Sequence, residues 1–476
     1  MKAYNFKQKK IISALIICFA AFLSLISIHK GHNWGGDFSL YISQAISLTN
    51  GETTSLYFEN KASMDASEAI LGPYLYPQGF PILLSFVYLI FGLNFVAFKL
   101  LCASFFIASL IIIIKIFKAS KTPFIYLFIL IAIGFNYKYL TFSDNVLSDF
   151  PFMFFSLLSI YLIDKKSTSI RYQLILGSTI LFAYMIRDIG ILLLFTLFFH
   201  QLSKGIFNKR TKWITLFPYF IFITGFVLLK LNSPNISDNL LSYLIEGMSL
   251  KSLQINSIYY AELLGHFIFP LKISFHLYIG MVFIILTAIG MYIYRKKYVH
   301  FIVYSLITIG IYIIWPSQQG LRFLFPVLPF LLFFFFECLV EIFKKLRLLK
   351  YLTPICLIYL VILSIGNINK TLELSKPHPK NYALNAASSE MMDFYNYIKQ
   401  NTDKQDLIVF FRPRVLRLFT GRNAIFTTSY HGVLASNANY VIENKNDPIS
   451  NKPKNNNKLE LVCDTQFLNF YLVNKN

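Results

Sequence analysis

The sequence predicts an all-α polytopic membrane protein of about eleven transmembrane helices, with a small C-terminal α/β domain outside the membrane. Three observations predict it. Of 476 residues, 56% are hydrophobic and only 14% charged, with 50 Phe and 30 Tyr, an apolar excess that a soluble chain of this length does not carry. Apolar runs of roughly 20 residues, enough to cross a bilayer as helix, recur as far as Ile365. From about Asn367 these runs shorten, and Asn, Lys, Ser and Pro take over. The expected domains are therefore 1–370, transmembrane, with outward loops at 29–81 and 232–272, and 371–476, soluble.

The formal net charge of +21 does not mark a nucleic-acid partner. The basic residues gather in short clusters between apolar runs, such as Lys7, Lys9 and Lys10, then Arg295, Lys296 and Lys297, then Lys344, Lys345, Arg347 and Lys350. Such clusters fall at every second connection, the pattern of cytoplasmic loops. The N-terminus is then cytoplasmic, an odd number of spans puts the C-terminal domain on the periplasmic or extracytoplasmic side, and the bilayer of an inner or plasma membrane is the first partner. Four of the five cysteines (Cys18, Cys102, Cys338 and Cys356) lie in apolar runs and read as small buried hydrophobes. No CxxC occurs, so the cysteines point to neither a zinc site nor a redox pair. The first apolar run lacks an A-x-A-like cleavage site and reads as a retained anchor.

Taken in order, the first span is about Ile11–Ile28. The loop after it holds an amphipathic piece, Phe38–Leu48, with Leu40, Tyr41, Ala45 and Leu48 at helical spacing. A polar stretch, Asn50–Ala69, and a turn-rich one, Gly72–Pro81, follow, and Phe80–Phe91 is too short to span. Further spans are expected at Phe95–Phe117, Phe124–Phe142, Phe150–Ile163, Leu174–Ile186, Ile189–Leu202, Trp213–Leu231, Ile273–Tyr294, Val299–Trp315, Phe323–Phe343 and Tyr351–Ile365. In the tail, Ser388–Gln400 predicts an amphipathic helix with Met392, Tyr395 and Ile398 inward. Strands are expected at Asp406–Phe411, Tyr440–Ile442, Leu459–Val462 and Phe470–Val473. Asp447–Lys458 is a low-complexity Asn/Lys loop.

Ionisable groups near membrane spans cost a few kcal/mol each in lipid, so they are kept where they meet protein, water or substrate. Asp37 follows the first span, and it also suits the N-cap of the helix beginning at Phe38. Asp144 and Asp149 flank one connection. Arg187 sits at a hairpin tip with Asp188 beside it, Arg322 opens a late span, and Lys99 lies near the outer end of its own. These residues share one expected depth on one face. A carboxylate there can take the proton from an acceptor hydroxyl as it attacks a sugar carbon. Arginines can hold a departing phosphate by bidentate hydrogen bonds. Tyr41 and Tyr76 offer rings for stacking on sugar. His29 and His32 lie near Asp37 without an evident third ligand, so no metal site is assigned, although a divalent cation stays open as a cofactor.

The motifs Gly36-Asp37-x-x-x-Tyr41, Tyr76-Pro77-Gln78-Gly79-Phe80-Pro81, Leu147-Ser148-Asp149-Phe150-Pro151, Arg187-x-x-Gly190 and Arg322-Phe323-x-x-Pro326-x-x-Pro329 run in an order that resembles the polytopic GT-C glycosyltransferases. The branch is the one that groups protein O-mannosyltransferases with the aminoarabinose transferase of lipid A. The tail segment Arg412–Arg422 resembles one found in bacterial members. The resemblance implies a GT-C-like fold, with Asp37 as catalytic base, Asp149 as second acidic position (Asp144 beside it), and Arg187 and Arg322 as donor-phosphate contacts. Lys99, Tyr41, Tyr76 and Gln78 complete the expected substrate-binding set. It also implies a polyprenyl-phosphate sugar as donor, transfer of a hexose or pentose with inversion, and a lipid, glycan or protein hydroxyl as acceptor. Two other classes compete: a transporter or flippase of lipid-linked sugars, for which charges at mid-membrane and two related halves are expected, and a polysaccharide polymerase or ligase, for which a later large loop would carry the chemistry.

Overall fold

The computed structural model describes residues 6–69, 72–118, 124–165, 167, 169–205, 212–232, 248–270, 274–376, 385–452 and 458–474. Part of the second expected loop (233–247) and of the Asn/Lys-rich stretch (453–457) lies outside the described residues. Among the described residues, five helices are long and apolar enough to cross a membrane: Gln8–Ile26, Phe95–Phe117, Trp213–Leu231, His276–Ile293 and Leu349–Leu374. The protein is an integral membrane protein. The count of eleven spans is not met by full-length helices. Other apolar runs form shorter ones, Ile125–Gly134, Ile170–Ile186, Asp188–Ser203 and Val299–Ile314 among them, and at 1.5 Å per residue these fall short of a hydrocarbon core about 30 Å thick. A hydropathy window does not see where helices break. The expected span Phe124–Phe142 is two helices, because Asn136 leaves the helical conformation and its side chain caps Tyr137–Phe142 by accepting from the Lys138 amide at 3.0 Å.

The chain packs as two units that do not follow its order. The first comprises residues 1–28, 99–144 and 148–376, and the second 29–98, 145–147 and 377–476.

Aromatic side chains fill the first unit. Phe106, Tyr139, Phe150 and Phe325 stack on one another, with Tyr139 and Phe325 at 4.0 Å, and the Tyr139 hydroxyl donates to the Phe325 carbonyl. Residues 248–270, expected as loop, instead hold the helix Leu250–Ile268. It packs on His276–Ile293 at a distance only glycine allows: a Cβ on Gly265 would lie 1.8 Å from the His276 carbonyl oxygen, and one on Gly280 would lie 1.7 Å from that of Ala261. Asn256 joins this helix to the end of Val299–Ile314 by donating to the Ile313 and Trp315 carbonyls at 2.9 Å each.

The second unit combines the first long loop with the tail. Helix Gly36–Asn50 packs on Gly79–Phe91. The polar stretch between them contains another helix, Thr53–Asp65. Its buried face is Leu56, Tyr57, Asn60 and Ser63, which has helical spacing, but two of the four are polar, so no apolar stripe marks it in the sequence. The sheet runs β2-β1-β3-β5-β4, from Leu407–Val409 (β1), Asn423–Ile425 (β2), Tyr440–Asn444 (β3), Leu459–Asp464 (β4) and Leu468–Val473 (β5). β1 is parallel to β2 and β3, and the other pairs are antiparallel. Helix Ser389–Asn401 buries Met391, Phe394, Tyr395 and Ile398, so Met391 takes the inward place expected of Met392. Past the β2 edge, Ser63 Oγ donates to the Ala424 carbonyl, and the Glu68 amide donates to that of Phe426 at 2.9 Å. The Glu68 carboxylate accepts from the Thr427 hydroxyl, the Thr428 amide and hydroxyl, and the Ser429 hydroxyl.

Candidate active site

Asp37 does not cap its helix. The helix begins at Gly36, its N-cap is Gly35, and Asp37 sits in the first turn, where the positive end of the helix dipole favours a carboxylate. Its Oδ1 instead accepts a 2.8 Å hydrogen bond from the Tyr76 hydroxyl. That bond gives the carboxylate a fixed direction.

Tyr76 is fixed from two sides. Tyr41, one helical turn past Asp37 and 4% exposed, stacks on its ring at 4.3 Å and meets Phe80 edge-on. Gln44, 1% exposed, clamps its backbone: Nε2 donates to the Tyr76 carbonyl at 2.8 Å, and Oε1 accepts from the Tyr76 amide at 2.9 Å. Asp37, Tyr41 and Gln44 follow one another at four and three residues, so one helix face presents all three. Burial, the charge on Asp37 and the neighbouring Tyr41 together push the Tyr76 phenol well above its usual value, and it remains a proton donor across the physiological range. Gln78 stands at the N-cap of Gly79–Phe91 without a side-chain cap bond.

His32 is not arranged as a metal ligand. Its Nε2 accepts from the Val146 amide at 3.0 Å, which leaves the proton on Nδ1, facing the Asn33 carbonyl at 3.0 Å. The ring lies on Phe38 at 3.9 Å. Among the described residues no group of three His, Cys, Asp or Glu side chains converges on a point where a metal ion would sit, so the divalent cation left open by the sequence gains no seat from the fold.

The remaining expected residues lie in the first unit, mostly as ion pairs. Asp149, in the first turn of helix Asp149–Asp164, meets Arg187 Nη2 at 2.9 Å, with the carboxylate 1% and the guanidinium 17% exposed. Arg187 Nε also donates to Ser148 Oγ at 2.9 Å, and its plane lies over Phe152 and Phe323. Its carboxylate partner is therefore Asp149. Lys99 Nζ meets Asp144 Oδ1 at 2.7 Å from a side chain only 1% exposed. Arg322, half-buried, donates to Gln319 Oε1 and lies over Phe323.

Sequence reasoning missed Gln44 and did not assign roles to the arginines of the Arg412–Arg422 segment. That segment forms helix Pro413–Thr420, started by Pro at its first turn. Arg414 Nη2 donates to the Pro73 carbonyl and to Met64 Sδ. Arg417 Nη1 donates to Asn60 Oδ1 at 2.7 Å, and Nη2 donates to the Glu59 carbonyl. Burial lowers both guanidinium pKa values, that of Arg417 to about 10. Two arginines in a short helix that also buries Pro413, Val415, Leu416, Phe419 and Thr420 were the available signal.

Neither a family model nor a curated protein sequence matches the chain. Solved structures do. The crystal structure of ArnT from Cupriavidus metallidurans bound to undecaprenyl phosphate matches over 96% of this chain and 97% of its own, with a TM-score of 0.58 and 11% identity. The Archaeoglobus fulgidus oligosaccharyltransferase tethered with an acceptor peptide matches over 91% and 69%, with a TM-score of 0.55 and 10% identity. The arabinofuranosyltransferase AftD from Mycobacteria covers 98% of this chain but only 40% of its own, with a TM-score of 0.50 and 12% identity. The fold is that of the GT-C membrane glycosyltransferases. Within that class the correspondence with ArnT runs nearly end to end in both chains.

Proposed function

We propose that this protein is an integral-membrane glycosyltransferase that moves a sugar from a polyprenyl-phosphate donor to an acceptor hydroxyl on the extracytoplasmic face. The observation that carries this reading is the carboxylate of Asp37. It is half-exposed and held by a hydrogen bond from the Tyr76 hydroxyl, in a chain whose fold is shared with a transferase crystallised bound to undecaprenyl phosphate. Asp37 takes the proton of the acceptor hydroxyl. The oxygen forms its bond to the anomeric carbon as the bond to the donor phosphate breaks, and the phosphate leaves with the electron pair. Attack opposite the leaving group inverts the anomeric centre.

Arg322 is the proposed contact to the donor phosphate. Asp149 acts through Arg187, whose guanidinium it orients, rather than as a second base, and Lys99 and Asp144 neutralise one another. The N-terminus lies in the cytoplasm and the C-terminal domain outside, where no nucleotide sugar is made and a lipid-linked donor is needed. Whether the sugar is a pentose or hexose, and whether the acceptor is lipid, glycan or protein, is read from mass spectrometry of cells with and without the gene. A mass difference of one sugar in one of those fractions, lost on Asp37→Asn, is expected. Identical lipids, glycans and proteins in the two strains would overturn the assignment.

A further inference from the structure

Helix Val299–Ile314 carries a polar stripe through the interior of the first unit. His300, Tyr304, Thr308 and Tyr312 recur every fourth residue, so they share one helix face, and none is more than 3% exposed. Helix Asp149–Asp164 runs against this face in the opposite direction. Asp164 lies 3.4 Å from His300 Nε2, Ser156 faces Tyr304, and Asp149 and Arg187 face Tyr312. Both imidazole nitrogens of His300 and the hydroxyls of Tyr304, Thr308 and Ser156 are buried without a hydrogen-bond partner among the described residues. Other buried hydroxyls behave differently. Ser109, Ser159, Thr196 and Thr371 each donate to the carbonyl four residues back, at 2.8 or 2.9 Å, which satisfies them within their own helix. Buried polar groups left open along one line call for a common partner.

The spacing says what that partner is. Successive members of the stripe are separated by about 6 Å along the axis, at about 1.5 Å per residue. One water molecule that accepts from one side chain and donates to the next spans about 5.5 Å with two bonds of ordinary length. Hydroxyls and a neutral imidazole can both donate and accept, so such bridges join end to end. We infer that a file of bound water, roughly one molecule per step, fills the seam between these two helices from His300 to Tyr312. Asp164, with a side chain 57% exposed, opens one end of the seam to solvent. The other end is the Asp149–Arg187 pair, which the file keeps in a polar setting where a dry interior would penalise both charges. Nothing in this seam requires Asp37 to be the base.

The test reads the water directly, without sugar transfer. Hydroxyl radicals made by short X-ray pulses arise from water itself, so they mark side chains beside bound water and leave dry ones untouched. The full-length protein in detergent is pulsed, digested and read by peptide mass spectrometry. Tyr304 and Tyr312 should be oxidised. Tyr139 is equally buried, but its hydroxyl donates to the Phe325 carbonyl and its ring lies in the aromatic stack, so it should stay at background. Thr308→Val removes one link of the file while keeping the shape of the side chain. It should reduce labelling at Tyr304 and Tyr312 and, through the loss of one hydrogen-bonded hydroxyl, lower the melting temperature by about 2 °C. In a dry seam the same change removes an unsatisfied hydroxyl, and the melting temperature should rise instead. Labelling of Tyr304 and Tyr312 no higher than that of Tyr139, or a higher melting temperature for Thr308→Val, would overturn the inference.

Discussion

Gln44→Leu removes the amide that clamps the Tyr76 backbone and replaces it with a side chain of similar size that bonds nothing. Two hydrogen bonds are lost, at 2.8 and 2.9 Å, each with a net value of about 1 kcal/mol. Gln44 itself is buried and Tyr76 only half so, so water replaces part of the loss at Tyr76. The expected destabilisation of the turn is about 2 kcal/mol, or roughly a thirtyfold change in the open population. Amide hydrogen exchange over residues 72–79 should accelerate by that factor, while the helix Leu250–Ile268, in the other unit, should exchange as before. Gln44→Glu separates the two bonds, because a carboxylate still accepts from the Tyr76 amide but cannot donate to its carbonyl. Because that carboxylate is buried and faces a carbonyl oxygen, the variant should be at least as damaging as Gln44→Leu. Exchange in Gln44→Leu within twofold of wild type would refute the claim that this clamp holds Tyr76 in place.

Breaking the buried Asp149–Arg187 pair by Asp149→Asn should cost about 3 kcal/mol of thermal stability in detergent. The double variant with Arg187→Gln should cost clearly less than the sum of the two single changes, and strict additivity would mean the pair is not coupled. Glu68 is a carboxylate whose burial raises its pKa but whose bonds from Thr427, Thr428 and Ser429 outweigh that and lower it. Its folded-state pKa is thus below the unfolded one. The stability it adds is present above about pH 4.5 and disappears as pH falls through the lowered value. The protection of amides 426–429, after correction for the pH dependence of intrinsic exchange, should therefore fall in acid in the wild type but change less in Glu68→Gln. Reporter fusions at Lys121, Lys166 and Lys297 should read cytoplasmic, and a fusion after Asn476 should read extracytoplasmic. A cytoplasmic reading at Asn476 would remove the extracytoplasmic site.

Helices with a continuous apolar signal were legible in the sequence: Phe95–Phe117 was placed to the residue, and β3 to β5 overlap the strands expected at Tyr440–Ile442, Leu459–Val462 and Phe470–Val473. What hydropathy cannot show is a helix whose buried face is polar. Thr53–Asp65 hides because Asn60 and Ser63 spend their burial on hydrogen bonds to Arg417, Tyr74 and Ala424. Leu250–Ile268 hides in the same way behind Asn256 and the glycine-enabled contact with His276–Ile293. β2, three residues long, and the helix Pro413–Thr420 leave too short a trace for periodicity. At the site, the proposed role of Asp37 rests on its position after the first span, and that of Tyr76 on its motif. The bond between them was not, since it joins residues 39 apart through a turn. The common depth expected for the acids and arginines gave no hint that Lys99 would spend itself on Asp144, or Arg187 on Asp149.

Turnover of Asp37→Asn decides whether Asp37 is the base. The substitution keeps the shape of the side chain and its ability to accept from Tyr76, but an amide cannot take up the acceptor's proton near neutral pH. General-base catalysis contributes about 10²–10⁴-fold. Sugar transfer in liposomes, with equal amounts of folded protein, should fall by a factor in that range while donor binding is retained. Turnover of Asp37→Asn near that of the wild type would contradict the claim.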